Sequence, residues 1–461
     1  MTCRLTLTGR CAAAVLGLAG LMTAPATLSQ TGSATRAGTA GTSTEAPLGV
    51  QALIQRALGL APLQQVADED VALAQAQQDT ARAVLRPQLA AQVSQLRQTT
   101  NPATLGFEFP GLPDLIGPYN VFDARLKLSQ TVLDLARSSE LAGAAYAVEA
   151  ARAQAEVSAE RIAANVALAY IQLLAADQAL ASAEADRVLG DELLRLARDQ
   201  KAAGVASGVD VARAETALAQ DRYAVSEAQT RIAQARLQLQ RLAVLPMDRD
   251  LLLAGTLDAP PSAVRELGIT LEQALNTARA TRGELRAADA ALRQADAQRR
   301  AAQRRVLPRI SAVADYGLSA NTPAQNREDT YRYGAVIDVP IYSGGALRSE
   351  ASAAEHRLQQ QRLQLDDLRQ QIEQDVRLAL ATLANSAEQL RAAIAARDLA
   401  QRELELARDR FANGVANNVD VISAQASLTR ARSQLIAASA VQQQARLNLA
   451  AAQGRARHFE L

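Results

Sequence analysis

A sixteen-residue segment of this chain occurs twice. Residues 196–211 read LARDQKAAGVASGVDV and residues 406–421 read LARDRFANGVANNVDV, with eleven of sixteen positions identical at an offset of 210. A second landmark keeps the same order: VLRPQL at 84–89 resembles VLPRI at 306–310, aligning Pro87 with Pro308 at an offset of 221. One structural plan must therefore serve both halves. Two units follow, 49–246 and 269–454, with a connector over 247–268 and a tail at 455–461. The connector is bordered by Pro246 and holds Pro260 and Pro261. The first unit is about a dozen residues longer between the landmarks, and the stretch 98–119 accommodates them.

Each unit opens with helical sequence interrupted at matching places by Pro62 and Gly283. After Pro87 or Pro308 the period changes to two. In the second unit Ile310, Ala312, Ala314, Tyr316 and Leu318 share one face, as do Tyr331, Tyr333, Ala335, Ile337, Val339 and Ile341. Ser311, Asp315, Arg332 and Asp338 fall on the other face. In the first unit Leu89, Ala91 and Val93, then Phe122, Ala124, Leu126 and Leu128, repeat the pattern around Arg125 and Lys127. The spacing predicts strands over 88–97, 120–132, 309–318 and 331–342. Tyr331 and Tyr333 suit either an interfacial aromatic girdle or ordinary strand positions.

A long helix is expected after each hairpin, over 134–203 and 344–413, each roughly 105 Å long at 1.5 Å per residue. Leu365, Leu368, Ile372, Val376, Leu380, Leu383, Ala387, Leu390 and Ile394 mark its apolar stripe, with a mean step of about 3.6 residues. That step suits nearly straight helices laid side by side. The chain turns at Gly204 or Gly414 and is expected to resume as return helices over 210–245 and 420–453. Glycine suits a left-handed helix end, and Asp210 and Asp420 suit helix starts.

Composition narrows the chemistry. Alanine supplies 102 of 461 residues and aromatics only 3%, which favours close helix contacts over one large globular core. A net charge of +1 offers no footprint for nucleic acid. There is no CxxC, HExxH, GxxxxGK or GxSxG motif, so neither catalysis nor a cofactor is expected. His356 has no histidine or cysteine at ligand spacing. Residues 1–26 read as a signal peptide: Arg4 and Arg10, an apolar run from Cys11 to Met22, then Ala24-Pro25-Ala26. Cleavage there removes both cysteines, neither of which lies in a lipid-attachment context. Residues 27–48, rich in Ser, Thr, Gly and Ala, are expected to be a flexible segment.

Strands of about ten residues with an apolar and a polar face are the pattern of a membrane barrel. Four strands leave edges that lipid cannot satisfy, so the chain must associate. Two copies would give a tight eight-stranded barrel and three a twelve-stranded one with a lumen. The competing reading is two soluble hairpins packed on a helical bundle.

The duplicated plan, the proline-then-strand entry and the G-V-x-x-x-V-D-V turns resemble the TolC family of outer-membrane efflux proteins over about 49–454. The resemblance implies a mainly α fold with a small β part. It further implies a homotrimer whose twelve-stranded outer-membrane barrel stands on a periplasmic helical barrel. It implies a passive exit duct for tripartite efflux or type I secretion, working with a periplasmic adaptor and an inner-membrane transporter. It assigns Gly204, Val205, Gly414 and Val415 to adaptor-docking turns and Asp210 and Asp420 to the periplasmic aperture. Some members hold the mouth closed with a tyrosine and an arginine, where this chain has Phe411 and Ala416, and others carry a second acid where it has Ser423. A periplasmic adaptor or coiled-coil scaffold is the alternative, but it would show one helical hairpin within β-rich domains. The loop 98–119, with Phe107 and Phe109, is expected outside the cell, either covering the mouth or hanging free.

Overall fold

The computed structural model describes residues 47–101, 114–204, 206–248, 251–257, 270–413, 415 and 418–461. The expected signal peptide, residues 27–46, Phe107, Phe109, Val205, Pro260, Pro261, Gly414 and Ala416 lie outside them.

Each half contributes two short helices, a β-hairpin, a long helix and a return helix. In the first half these are α1 (Val50–Leu60), α2 (Pro62–Ala83), β1 (Gln88–Thr100), β2 (Ile116–Leu133), α3 (Leu135–Ala202) and α4 (Gly208–Leu242). In the second they are α5 (Leu271–Thr281), α6 (Gly283–Arg304), β3 (Arg309–Ala320), β4 (Glu328–Asp338), α7 (Ala346–Ala412) and α8 (Asn418–Ala452). Pro62 stands at the first turn of α2, where its missing N–H leaves no helical bond unmade. The strand expected over 331–342 ends earlier, at Asp338, because Pro340 cannot donate to a ladder and Gly344 and Gly345 turn the chain at positive φ into α7.

The four strands form one antiparallel sheet in the order β1-β2-β3-β4. The register stacks the apolar alternation across the whole sheet. Leu89 faces Leu128, Ala91 faces Leu126, Leu126 faces Tyr316, and Tyr316 faces Tyr331. Leu89, Val93, Leu126, Tyr331, Tyr333 and Ile337 are all exposed on that face. Gly317 lies close against β2: a β-carbon there would meet Arg125 and the Ala124 carbonyl at under 3 Å.

α3 and α7 run away from the sheet, each about 100 Å long. α2 and α6 pack along the sheet-proximal part of α3, and α4 along its far part. α6 also contacts α7, and Arg305 joins Glu140 of α3 (3.1 Å) to Glu350 of α7 (2.7 Å). α8 packs on both α7 and α3.

The main core lies midway along α3. Ile162, Val166, Tyr170, Ile171 and Leu174 pack there with Leu53 and Ile54 of α1, Leu239 of α4 and Leu447 of α8. α3 is apolar enough, by length and composition, to cross a membrane, and part of its apolar surface is buried in this core. Three segments expected as tether, connector and tail join it. Leu48 bonds through its N–H to the Leu252 carbonyl (2.8 Å) and through its carbonyl to the Ala254 N–H (3.1 Å). Leu251 and Leu257 of the connector are buried, as are Ala456 and Phe459 of the tail. The Tyr170 hydroxyl reaches the Leu48 carbonyl at 3.0 Å and also the Ala254 carbonyl. Burial pushes the Tyr170 phenol pKa up, keeping it a donor.

Candidate functional site

Two features occupy opposite ends of the molecule: the polar face of the sheet and the helix turns far from it. On the sheet, Arg125 of β2 donates to Asp123 beside it and to Asp315 of β3 at 2.9 Å. Asp315 also accepts from Arg332 of β4 at 2.9 Å. Arg309 pairs with Asp338 at 3.0 Å, and the Lys127 ammonium donates to Gln92 of β1 at 2.5 Å. Asp315, Asp338, Arg125, Arg332 and Lys127 therefore share one face, opposite the exposed apolar one. Asp315 is buried, and two guanidiniums compensate its charge. A polar face backed by an exposed apolar face is an arrangement suited to separating water from lipid.

At the other end α3 closes at Ala203, whose N–H bonds to the Asp199 carbonyl (3.0 Å). Gly204 follows at φ +78°, the left-handed conformation that favours glycine. Asp210 is not the residue that opens α4, contrary to the sequence expectation. Ser207 is the N-cap: its hydroxyl faces the Asp210 N–H, while the Asp210 carboxylate accepts from the Ser207 N–H (2.9 Å) and hydroxyl (2.7 Å). This reciprocal capping box satisfies donors on both sides of the turn. The Ser207 hydroxyl and N–H, with Arg213 adding charge, hold the Asp210 carboxyl pKa below its usual value. The S-x-x-D signature was present in the sequence, and its reading requires counting three residues back from the acid.

The second turn is built differently. Asn413 ends α7, its N–H and its side-chain amide both donating to the Asp409 carbonyl (3.1 and 2.8 Å). Val415 is exposed and its N–H bonds to the Arg410 carbonyl at 2.9 Å. α8 opens at Asn418, two residues before Asp420, which lies in its first turn. The structure brings both turns to one end. Leu193 of α3 packs with Leu404 and Phe411 of α7 and Val421 and Leu428 of α8. The Gln200 side chain donates to the Phe411 carbonyl at 3.3 Å. Phe411 is thus a packing residue within the tip.

Replacing Ser207 with alanine removes one half of the capping box. The expected result is about fivefold faster protease cleavage between residues 204 and 210, with unchanged global unfolding. Equal cleavage rates would show that Asp210 alone sustains the cap.

A family model, outer membrane efflux protein, matches residues 53–243 and 274–455. The chain belongs to the outer membrane efflux protein family. Among curated relatives, the probable efflux pump outer membrane protein SepC of Pseudomonas putida is 25% identical over 327 residues, covering 69% of this chain and 66% of SepC. The proteases secretion protein PrtF of Dickeya chrysanthemi is 27% identical over 290 residues, covering 61% of each chain. The chain thus spans less than two thirds of the length of these relatives. Among solved structures, the outer membrane protein VceC of Vibrio cholerae superposes with a TM-score of 0.75 at 20% identity, covering 88% of this chain and 96% of VceC. Family membership makes this an outer-membrane protein that reaches into the periplasm.

Proposed function

We propose that three copies of this efflux-family chain form a passive exit duct, a twelve-stranded barrel in the outer membrane continued by a periplasmic helical barrel. The observation that carries the reading is the two-faced sheet with unpaired edges at β1 and β4, which lipid does not tolerate in an open form. The helical layer supports it. α3 and α8 pack together with α4 and α7 outside them. Val209, Tyr223 and Leu237 of α4 are exposed at heptad multiples, about 180° around the helix from buried Ala214, Leu218 and Leu239. Leu363, Leu399 and Leu406 of α7 are exposed in the same relation to buried Leu365, Leu383 and Leu390. Two outward apolar seams on opposite edges of one layer suit a head-to-tail ring.

Substrate reaches such a duct from an inner-membrane transporter through a periplasmic adaptor. SepC and PrtF bear the names of an efflux and a secretion component, so either kind of pump fits. The turns at Gly204–Val205 and Gly414–Val415 dock the adaptor in this reading, and Asp210 and Asp420 line the aperture. Gly414→Trp adds bulk next to the exposed Val415. Export is expected to fall to background while a heat-sensitive trimer persists in the outer-membrane fraction. Unchanged export would remove the docking role.

A further inference from the structure

The helices form two hairpins, α3 with α4 and α7 with α8, and polar side chains cross between them partway along their length. Asp186 of α3, whose side chain is 5% exposed, takes a 2.6 Å ion pair from Arg432 of α8. Asp221 of α4 accepts a hydrogen bond at 3.2 Å from Gln425 of α8, itself buried. Gly190 of α3 makes room for the second contact: a β-carbon there would lie 2.5 Å from an Asp221 carboxylate oxygen and 3.4 Å from Leu218. The carboxyl group of Asp221 therefore rests against the backbone of α3 as well as the amide of Gln425.

The charges around Asp221 are unevenly shared. From α3 it faces Asp186 and Asp191, and from α8 Gln425 and, beyond it, Arg432. Asp186 has Arg432, and Asp191 has Arg187 (2.9 Å) and Arg222 of α4 (3.5 Å). Among the described residues Asp221 makes no ion pair. Burial, then the neighbouring Asp186, push its carboxyl up to about 6 against the bond from Gln425, with Asp191 adding to the rise.

We propose that Asp186, Asp221, Gln425 and Arg432 form a proton-loaded latch that couples the packing of α4 against α3 to ambient pH. The Asp186–Arg432 pair provides a constant hold. Asp221 provides the variable one, because its neutral form sits against α3 without repelling Asp186 and Asp191. The packed state holds the proton more tightly than one in which α4 has moved off α3, where the carboxyl returns to its ordinary value of 3.8. The penalty for packing is therefore absent below that value, grows through the interval to about 6, and is complete above it. The latch lies within one chain and depends on neither membrane insertion nor adaptor docking.

The test is amide hydrogen exchange of the full-length protein in detergent, read over residues 214–232 and 421–436 at about pH 5 and about pH 7.5, corrected for the intrinsic pH dependence of exchange. The α4 stretch of the wild type should open about fivefold more readily at the higher pH, because part of the penalty is already present at about pH 5 and Asp221 retains some solvent contact. Asp221→Asn, neutral at both pH values, should exchange slowly at both. Gly190→Ala, which suits a helix interior, should displace the carboxylate into water and also abolish the difference. A wild type without a corrected pH difference, or an Asp221→Asn variant that keeps it, would overturn the latch. Loss of export in a tip variant with this exchange pattern intact would leave it standing.

Discussion

Replacing Leu126 with arginine should eliminate the proposed trimer from the outer membrane. Leu126 lies midway along β2, a central strand, between Ala91 of β1 and Tyr316 of β3, on the face that carries the apolar side chains. It is 51% exposed in the single chain, so little of its side chain contacts the rest of the protein. Arginine near the bilayer midplane of a barrel costs about 2–4 kcal/mol. Three-fold repetition in the proposed trimer raises that to roughly 6–12 kcal/mol per assembly, comparable with the whole stability of many folded domains. Ser129→Arg on the opposite face is the control, because that face carries the charged side chains Arg125 and Lys127. Unheated gels of outer-membrane fractions should show a heat-sensitive band near three times the monomer mass for wild type and Ser129→Arg, and none for Leu126→Arg. Assembly of both variants would mean that the apolar face does not meet lipid.

Tyr170→Ala should have the largest effect on the periplasmic part. Tyr170 is fully buried, and its hydroxyl holds the carbonyls of Leu48 and Ala254 against α3. Truncating a buried aromatic ring costs about 3–5 kcal/mol, much of it for the cavity. The Ala254 carbonyl would also lose its phenol donor, while the Leu48 carbonyl would keep the Ala254 N–H. Tyr170→Phe separates these contributions: the ring remains and about 1–3 kcal/mol is lost with the hydroxyl. Thermal unfolding of the purified protein should rank wild type above Phe above Ala. Limited proteolysis should cut near residues 47–49 and 251–257 in both variants before α3 is touched. An unchanged cleavage pattern in Tyr170→Phe would show that burial of Leu48, Leu251 and Leu257, and not the hydroxyl, holds these segments.

The parts of the fold legible in the sequence are those with a period. Alternation from Ile310 to Leu318 marked β3 because every second side chain of a strand points the same way. The stripe from Leu365 to Ile394 marked α7 because successive turns must present one face to a neighbour. Duplication then applied each reading twice. At the turns, Gly204 was legible because only backbone freedom explains a glycine after so long a helix. The cap was displaced: Asp210 looked like the first residue of α4, whereas Ser207 takes that place and Asp210 braces it from within the helix.

What the chain alone determined is local: element type, length, the faces of the strands and the two hairpin turns, all set by interactions over a few residues. Tertiary structure alone decided what closes the middle of the molecule. Phe459 is buried and its carbonyl accepts from Gln51, 408 residues away, while Arg457 pairs with Glu160, 297 residues away. Leu48 and Ala254 bond directly to each other, and the Tyr170 hydroxyl reaches both of their carbonyls. These segments are too short to show any period, and their backbone groups find partners only once α3, α1 and α8 are in place. The pairing of Asp186 with Arg432 likewise required α8 to cross α3, because a charge on an Ala-rich helix looks solvent-exposed until another helix covers it.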